Sequence, residues 1–357
     1  MLKSRRTRLI RLAQKMTGCD TIITFEPENL YYLTGFWGEA IGILQKNGNT
    51  TIVAPELEMK RAKSESTDCD IIKSDRGYNA LNNITKLIKG KKICTDCQNY
   101  TTMQSLKKSV PKIKQSNELF YAAREIKDEN EILILKKASK IIDQMFSLCT
   151  KKIKVGQKES ELQSILMSHA IEQGMFDTGY RSTLNPLIIA GGPNGALPHA
   201  QVTNRKFTKG DLIVVDLTLR YNGYVSDSTR TFALGKISRK AEEVYEIVKE
   251  SQRLGLRAIK SNTKCKKIDD VCRNYIKKNN YEKYFIHSTG HGIGLEVHEL
   301  PSIGPNSKTK LQKNMAITVE PGIYLDKKFG VRIEDSLIVK ESNPLILHKF
   351  TKELLTL

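Results

Sequence analysis

The dipeptide Asn222-Gly223 is the strongest short-range signal for a β-hairpin, because both residue types readily adopt the positive φ angles of a two-residue turn. It follows the run 212–217 (LIVVDL), which is apolar and β-branched apart from Asp216. A carboxylate in such a strand is costly to bury unless it is paired or bound to a metal ion. The chain is therefore predicted to build a strand pair that carries an acidic side chain into its interior.

The hairpin also predicts which residues face each other. Counting outward from the turn gives three opposed pairs: Tyr221 with Tyr224, Thr218 with Asp227, and Asp216 with Thr229. Side chains alternate between the two faces of a sheet, so Asp216 and Asp227 share one face as diagonal neighbours. Their Cα atoms are expected about 7–8 Å apart. From that distance both carboxylates can reach metal ions about 3.5–4 Å apart.

A second acidic pair follows the same logic. Glu320 ends the run 316–320 (AITVE), and Glu334 lies in the run 331–335 (VRIED). A hairpin centred near Lys327 would place the two glutamates opposite each other. Facing carboxylates repel each other, and a cation between them removes the repulsion. The turn at 326–330 is less diagnostic than Asn222-Gly223, so the placement of these two glutamates depends more on the surrounding fold.

Histidines cluster in the same half of the chain. Four of the six lie there near glycine or proline, or close to one another: His199, His287, His291 and His298. His291 stands in the segment TGHGIG, whose glycines permit close backbone approach to a buried site. Taken singly, such a histidine is more often structural, and a lone acid is more often a turn or surface residue. Four carboxylates with one imidazole are typical of a two-metal site for Mn²⁺, Co²⁺ or Zn²⁺.

The N-terminal third predicts a separate α/β domain. Runs 20–25, 30–36, 41–45 and 50–54 are expected to be strands, with charged helical segments between such runs. Asp128, followed by Glu131, is expected to cap a long amphipathic helix. The fold class is α/β of the α+β type, with domains at 1–123 and 124–357.

Composition limits the remaining classes. No run approaches the roughly 18 apolar residues that a membrane span needs, and the basic N-terminus lacks the apolar core of a secretory signal. The net charge of +19 comes from cationic residues, mostly lysines, that are spread along the chain, a pattern that disfavours a nucleic-acid partner. Seven scattered cysteines favour reduced thiols and a cytoplasmic location. Cys94-x-x-Cys97 lacks a second pair or a nearby histidine and is interpreted as incidental.

Taken in order, these motifs resemble the pita-bread metallopeptidases, specifically the Xaa-Pro aminopeptidase and prolidase branch. The matching segments are 195–199 (GALPH), 215–216 with 224–230 (YVSDSTR), 290–294 (GHGIG) with 297–299 (VHE), 320–324 (EPGIY) and 331–335 (VRIED). Residues 29–36 (NLYYLTGF) look like the creatinase-like N-terminal domain of these enzymes, and residues 124–128 (REIKD) look like their domain joint. The resemblance implies a creatinase-like α/β domain followed by a pita-bread catalytic domain.

The resemblance also implies roles for individual residues. The ligands of two divalent ions would be Asp216, Asp227, His291, Glu320 and Glu334. Asp227 and Glu334 would bridge both ions, and a bridging hydroxide would attack the carbonyl of the Xaa-Pro bond. Glu320 would shuttle a proton to the leaving nitrogen, and His298 would stabilise the oxyanion. The proline pocket would be lined by His199 and His287, with Tyr324 and Arg332 supporting the ligands and the substrate.

The implied substrates are short peptides with proline at the second position, and the implied assembly is a homodimer. Trp37 would reach a neighbouring active site or serve in the core or a loop. Thr218 stands where the family usually has glycine, and its side chain is expected to crowd or hydrogen-bond Asp227. The alternatives are an aminopeptidase of other specificity, a hydrolase of non-peptide amides, and a non-catalytic peptide-binding module.

Overall fold

The computed structural model describes residues 2–76, 78–88 and 90–357. The chain forms two compact units, Met1–Arg124 and Glu125–Leu357. Within the described part of the chain, no helix is long and apolar enough to cross a membrane.

The N-terminal unit is a mixed sheet with helices. Its helices are α1 (Leu2–Thr17), α2 (Pro27–Thr34), α3 (Met59–Glu65), α4 (Tyr78–Ile88), α5 (Tyr100–Ser109) and α6 (Glu118–Arg124). Its strands are β1 (Thr21–Thr24), β2 (Ile41–Gln45), β3 (Thr50–Ala54), β4 (Asp70–Lys73), β5 (Ile93–Thr95) and β6 (Lys114–Gln115). They are ordered β4-β3-β2-β1-β5-β6, with β2 antiparallel to its neighbours. The predicted strands at 20–25, 41–45 and 50–54 are confirmed.

The predicted strand at 30–36 is wrong, because this segment belongs mainly to helix α2. Pro27 lies in the first turn of the helix, where its missing N–H costs nothing. Gly35 ends the helix in the left-handed conformation at φ 79°. The aromatic and apolar residues between them are almost all buried, so the segment shows no polar face by which its helical period could be recognised.

The C-terminal unit combines long helices with several antiparallel ladders. Its helices are α7 (Glu129–Lys152), α8 (Glu159–Glu172), α9 (Arg239–Ala258) and α10 (Cys265–Lys278). Its strands are β7 (Met175–Phe176), β8 (Ile188–Gly191), β9 (Leu212–Tyr221), β10 (Tyr224–Ala233), β11 (Gly290–Gly292), β12 (Glu299–Ile303), β13 (Ala316–Val319), β14 (Gly322–Leu325), β15 (Phe329–Arg332), β16 (Asp335–Ile338) and β17 (Leu345–Ile346). One apolar core packs α7 and α8 against β9, and a second packs α9 and α10 against β13 and β15.

Helix α7 begins with the predicted cap. The Asp128 carboxylate accepts hydrogen bonds from the backbone N–H groups of Asn130 and Glu131, both at 3.0 Å. The Glu131 carboxylate in turn accepts from the backbone of Asp128 at 2.8 Å. This reciprocal arrangement satisfies N–H groups that have no partner inside the helix, and it confirms the predicted start.

The β9–β10 hairpin has the predicted register. Asn222 and Gly223 adopt φ angles of 45° and 82°, as a two-residue turn of this hand requires. Thr218 pairs with Asp227, and Asp216 pairs with Thr229. The two aspartates therefore lie on one face of the sheet, as predicted.

The second pair of acids lies at a break between two ladders that share one register. Gly322 pairs with Arg332 on one side of the break, and Val319 pairs with Asp335 on the other. This register places Glu320 opposite Glu334, as predicted, although neither residue belongs to a strand. Their backbone N–H groups donate instead to Thr289 O and Thr229 O, at 2.8 and 3.1 Å. These hydrogen bonds hold the glutamates beside β10, which carries Asp227, and beside the residue before β11, which carries His291.

Candidate active site

A cavity of about 420 Å³ opens in the C-terminal unit and gathers nearly all of the predicted site residues. Its lining includes His199, Asp216, Asp227, His287, His291, His298, Glu320, Arg332 and Glu334. Tyr324 lies next to this lining, hydrogen-bonded to Arg332 and His287. Trp37 belongs to the other unit, where its ring packs against Tyr31 at a centroid distance of 5.5 Å.

Three side chains at the cavity converge on one point. Asp227, His291 and Glu334 each present a ligand atom, and these atoms lie within 4.8 Å of one another. The His291 Nδ1–H donates to Gly292 O at 3.0 Å, because a carbonyl can only accept. The unprotonated Nε2 therefore faces Asp227 Oδ2 at 3.8 Å and Glu320 Oε1 at 3.5 Å. Burial lowers the pKa of His291 to about 3, which keeps the ring neutral and able to bind a metal ion.

The glycines beside His291 are required by close packing. A Cβ atom on Gly290 would lie 2.1 Å from Thr318 O, and one on Gly292 would lie 2.2 Å from Leu300 O. Any larger residue would push strand β11 away from its neighbours. The expected close backbone approach is therefore confirmed, and it brings His291 to the carboxylates.

The carboxylates at this point strongly oppose one another's ionisation. Burial raises the pKa of Asp227 well above its usual range, and the charges of Asp216 and Glu320 add to the effect. Burial and the charge of Asp227 do the same to Glu334. Burial raises the pKa of Glu320 to about 8. Glu334 Oε1 is buried and has no hydrogen-bond partner among the residues the structure describes. An unpaired buried oxygen beside repelling acids and a neutral imidazole fits a divalent cation.

Without metal ions, the protein is expected to lose stability as the pH rises from 6.5 through about 8. The folded-state pKa of Glu320, like those of Asp227 and Glu334, is raised above the ordinary carboxyl value, so folding favours the protonated acids. The stabilisation by the protonated acids is complete at low pH and is lost as the pH rises through their folded-state pKa values. The folded-state pKa values of His287, His291 and His298 are lowered, so their contribution to stability is lost mainly as the pH falls through 6.5, and it changes less than that of the acids at higher pH.

The measurement is the melting temperature of chelator-treated protein at pH 6.5, 7.25 and 8, with and without added Mn²⁺. Bound cations keep the acids ionised, so the stabilisation by Mn²⁺ should grow with pH. Glu320→Gln removes one of the titrating groups and should flatten the metal-free curve. A metal-free melting temperature that rises over this range would contradict the assignment.

Arg332 connects the acids to the histidine side of the cavity. Its guanidinium donates to Asp216 Oδ2 at 2.6 Å and to the Tyr324 hydroxyl at 2.8 Å. The Tyr324 hydroxyl donates to His287 Nε2 at 2.9 Å, because Nδ1–H already donates to Ser288 O at 2.8 Å. Burial and the charge of Arg332 lower the pKa of His287 to about 4. This chain of hydrogen bonds holds Asp216 and His287 in fixed orientations.

Thr218 contacts both aspartates of the hairpin. Its hydroxyl lies 2.8 Å from Asp227 Oδ1 and 3.3 Å from Asp216 Oδ1. The expected contact with Asp227 is confirmed as a hydrogen bond, and the contact with Asp216 extends it. One hydroxyl proton is thus shared between two acids, which leaves Asp227 Oδ2 turned toward His291.

Thr218→Val is expected to weaken metal binding by about tenfold, because hydrogen bonds that orient ligating carboxylates typically contribute this much affinity. Valine keeps the shape of the side chain and removes the hydroxyl. Thr218→Ser keeps the hydroxyl and serves as the matched control, with affinity close to the unmodified chain. Titration of Mn²⁺ by calorimetry gives the dissociation constants. Equal or tighter binding by the valine variant would mean that the hydroxyl competes with the ion.

His298 lies at the accessible edge of the cavity. Its ring meets that of His291 edge to face at a centroid distance of 4.3 Å. Partial burial in the cleft lowers the pKa of His298, and the nearby His199 acts in the same direction. A neutral imidazole at this edge can donate one hydrogen bond to a bound substrate.

Sequence reasoning assigned no role to two features of this site. Glu299 accepts hydrogen bonds from buried Lys127 at 3.0 Å and from the backbone of Leu295 at 2.9 Å, which closes the turn before His298. Residues 178–188 supply much of one cavity wall. Glu299 belongs to the VHE motif at 297–299, so the sequence did mark this residue as part of a matching segment. The wall segment has no periodic or motif signal that could have marked it.

Comparisons with known proteins identify the family of the chain. Residues 134–341 match the sequence model of metallopeptidase family M24, and residues 5–126 match that of the creatinase/prolidase N-terminal domain. The chain is 35% identical over 362 residues to the Xaa-Pro dipeptidase of Pyrococcus furiosus, covering 99% of this chain and 100% of that protein.

Solved structures give the same result for the fold. The Xaa-Pro dipeptidase from Bacillus anthracis has a TM-score of 0.92 at 32% identity, with 100% of both chains covered. The X-Pro aminopeptidase from Thermotoga maritima has a TM-score of 0.87 at 30% identity, with 99% of both chains covered. The predicted fold class is thereby confirmed. This chain is a member of metallopeptidase family M24, with a creatinase-type N-terminal domain followed by a pita-bread catalytic domain.

Proposed function

We propose that this protein is a metal-dependent peptidase that hydrolyses the bond between an N-terminal residue and proline. The observation that carries the proposal is the convergence of Asp227, His291 and Glu334 on one point of a substrate-sized cavity. The proline specificity is supported by relatives named Xaa-Pro dipeptidase and X-Pro aminopeptidase that match the chain over nearly its whole length.

The proposed ligands of two divalent ions are Asp216, Asp227, His291, Glu320 and Glu334. Bound there, the ions would supply an activated water and polarise the scissile carbonyl. Mn²⁺ is the proposed native ion, with Co²⁺ and Zn²⁺ as alternatives, because four of these ligands are carboxylates and hard oxygen ligands suit Mn²⁺.

The protein's own side chains would move the protons. Glu320 would accept a proton from the attacking water and pass it to the imino nitrogen of the leaving proline. Arg332 would hold Asp216 in place through their hydrogen bond.

The histidines would bind and orient the substrate. His298 would donate a hydrogen bond to the oxygen that gains charge as the carbonyl is attacked. His287 would line the proline side together with His199, and its ring is already fixed by Ser288 and Tyr324.

We further propose a homodimer in the cytoplasm. The seven cysteines are free in the structure, as a reducing compartment would require, and light scattering would give the assembly.

The decisive experiment measures hydrolysis of Ala-Pro and Ala-Pro-Ala by chelator-stripped protein with Mn²⁺, Co²⁺ or Zn²⁺ restored. Ala-Ala and Ala-Ala-Ala are matched controls that lack proline. Cleavage of only the proline peptides, restored by metal, is the expected result, and the ratio between the two lengths distinguishes a dipeptidase from an aminopeptidase.

Other outcomes identify the alternatives. Cleavage of all four peptides would indicate an aminopeptidase of broader specificity. Bound ions without cleavage of any peptide would indicate a different substrate, such as a non-peptide amide. Protein that binds no ions would indicate a peptide-binding module.

A further inference from the structure

Tyr180, on the wall segment 178–188, contacts His298 directly. Its hydroxyl lies 3.2 Å from His298 Nδ1. The two rings also meet edge to face, with a centroid distance of 5.2 Å and an interplanar angle of 79°. A hydrogen bond and a ring contact together restrict both the position and the rotation of the imidazole.

The Tyr180 hydroxyl can donate to His298 Nδ1 or accept from it, so the tautomer of the ring decides the direction of this hydrogen bond. A neutral imidazole has one donor and one acceptor nitrogen. When the Tyr180 hydroxyl donates to Nδ1, the proton of the ring is on Nε2. The ring then has a single N–H group, and that group is the one not engaged by Tyr180.

The Arg220 side chain joins the two segments that carry Tyr180 and His298. Arg220 donates to Thr178 O at 3.0 Å, and also to Leu295 O at 2.5 Å and Gly223 O at 2.7 Å. Thr178 begins the wall segment, and Leu295 lies in the turn that leads to His298. One guanidinium therefore links the two segments that carry the phenol and the imidazole.

We propose that Tyr180 is a positioning residue for His298, holding the ring with its Nε2–H available to the substrate oxygen. The proposal rests on the proposed function for the role of that N–H group. The contact itself is independent of which substrate is cleaved, and the proton position is read from the ring nitrogen signals. No motif or periodic pattern in the sequence marks Tyr180.

The first test is spectroscopic and needs no activity. Long-range ¹H–¹⁵N spectra of ¹⁵N-histidine-labelled, zinc-loaded protein at pH 8 report the two ring nitrogens, and loss of signals in His298→Ala assigns them. Tyr180→Phe should shift the His298 nitrogen signals, because Nδ1 loses its donor while the ring contact stays. Tyr180 is 37% exposed, so the substitution should leave the fold intact. Tyr100→Phe, at a tyrosine that is 77% exposed in the other unit, is the matched control and should shift nothing.

The second test is a kinetic cycle on Ala-Pro-Ala. Tyr180→Phe should lower kcat about three- to tenfold with KM and metal content unchanged, which corresponds to one ordinary hydrogen bond. In the His298→Ala background the same substitution should have no further effect, because residues that act through one another are not additive.

Several results would overturn the proposal. These are unchanged His298 signals in Tyr180→Phe, an equal loss of kcat in both backgrounds, or a change in KM alone. If the unmodified protein cleaves no proline peptide, the proposed function fails, while the nitrogen signals still decide the contact between Tyr180 and His298.

Discussion

Asp227→Asn is expected to abolish metal binding and hydrolysis of proline peptides together. Asparagine keeps the size of the side chain and its contact with Thr218 but removes the charge at the point where His291 and Glu334 converge. Metal ions contribute several kcal/mol to such a transition state, so a loss of several kcal/mol corresponds to at least about 10³-fold in rate. The measurement combines bound metal, by elemental analysis, with kcat on Ala-Pro-Ala.

The melting temperature of Asp227→Asn shows whether the variant still folds. Burial and neighbouring charges disfavour the ionised form of Asp227 in the metal-free protein, so the neutral amide should melt no lower than the metal-free unmodified chain. Asp270→Asn breaks only a surface ion pair with Lys266 and should leave both metal binding and rate unchanged. Full metal content with a normal rate in Asp227→Asn would remove Asp227 from the site.

His298→Ala is expected to lower kcat about 10²- to 10³-fold while metal content stays unchanged. A well-placed donor to the developing oxyanion contributes this much in other hydrolases. His298 lies beside His291 at 4.3 Å between ring centroids but is not among the converging ligand atoms. Steady-state kinetics and elemental analysis of the same preparation give both quantities.

A conservative variant separates donation from packing. Glutamine at position 298 offers an amide N–H of similar reach, so His298→Gln should recover part of the rate that alanine loses. Loss of metal in either variant would mean that His298 supports the ligands rather than the substrate. A normal kcat with a raised KM would limit its role to binding.

Local sequence signals predicted the elements that carry the acids. A two-residue turn fixes the register of the strands it joins, so Asn222-Gly223 was enough to deduce that Asp216 and Asp227 share a face. The same reasoning placed Glu320 opposite Glu334, although the structure interrupts the ladder at that point. Asp128 marked the start of α7 because a helix cap is a contact between residues three apart. The strand prediction at 30–36 failed because a short helix that is almost fully buried has no polar face, so its local pattern does not show the helical period.

The sequence by itself therefore determined the register of β9 with β10, the placement of Glu320 opposite Glu334 and the start of α7, all of which depend on neighbours along the chain. Only the tertiary structure decided what each side chain touches across the cavity. Arg332 reaches Asp216 across 116 positions, and Tyr180 reaches His298 across 118. Such contacts arise where separate elements pack together. No local pattern encodes them, because the partners become neighbours only after the chain has folded.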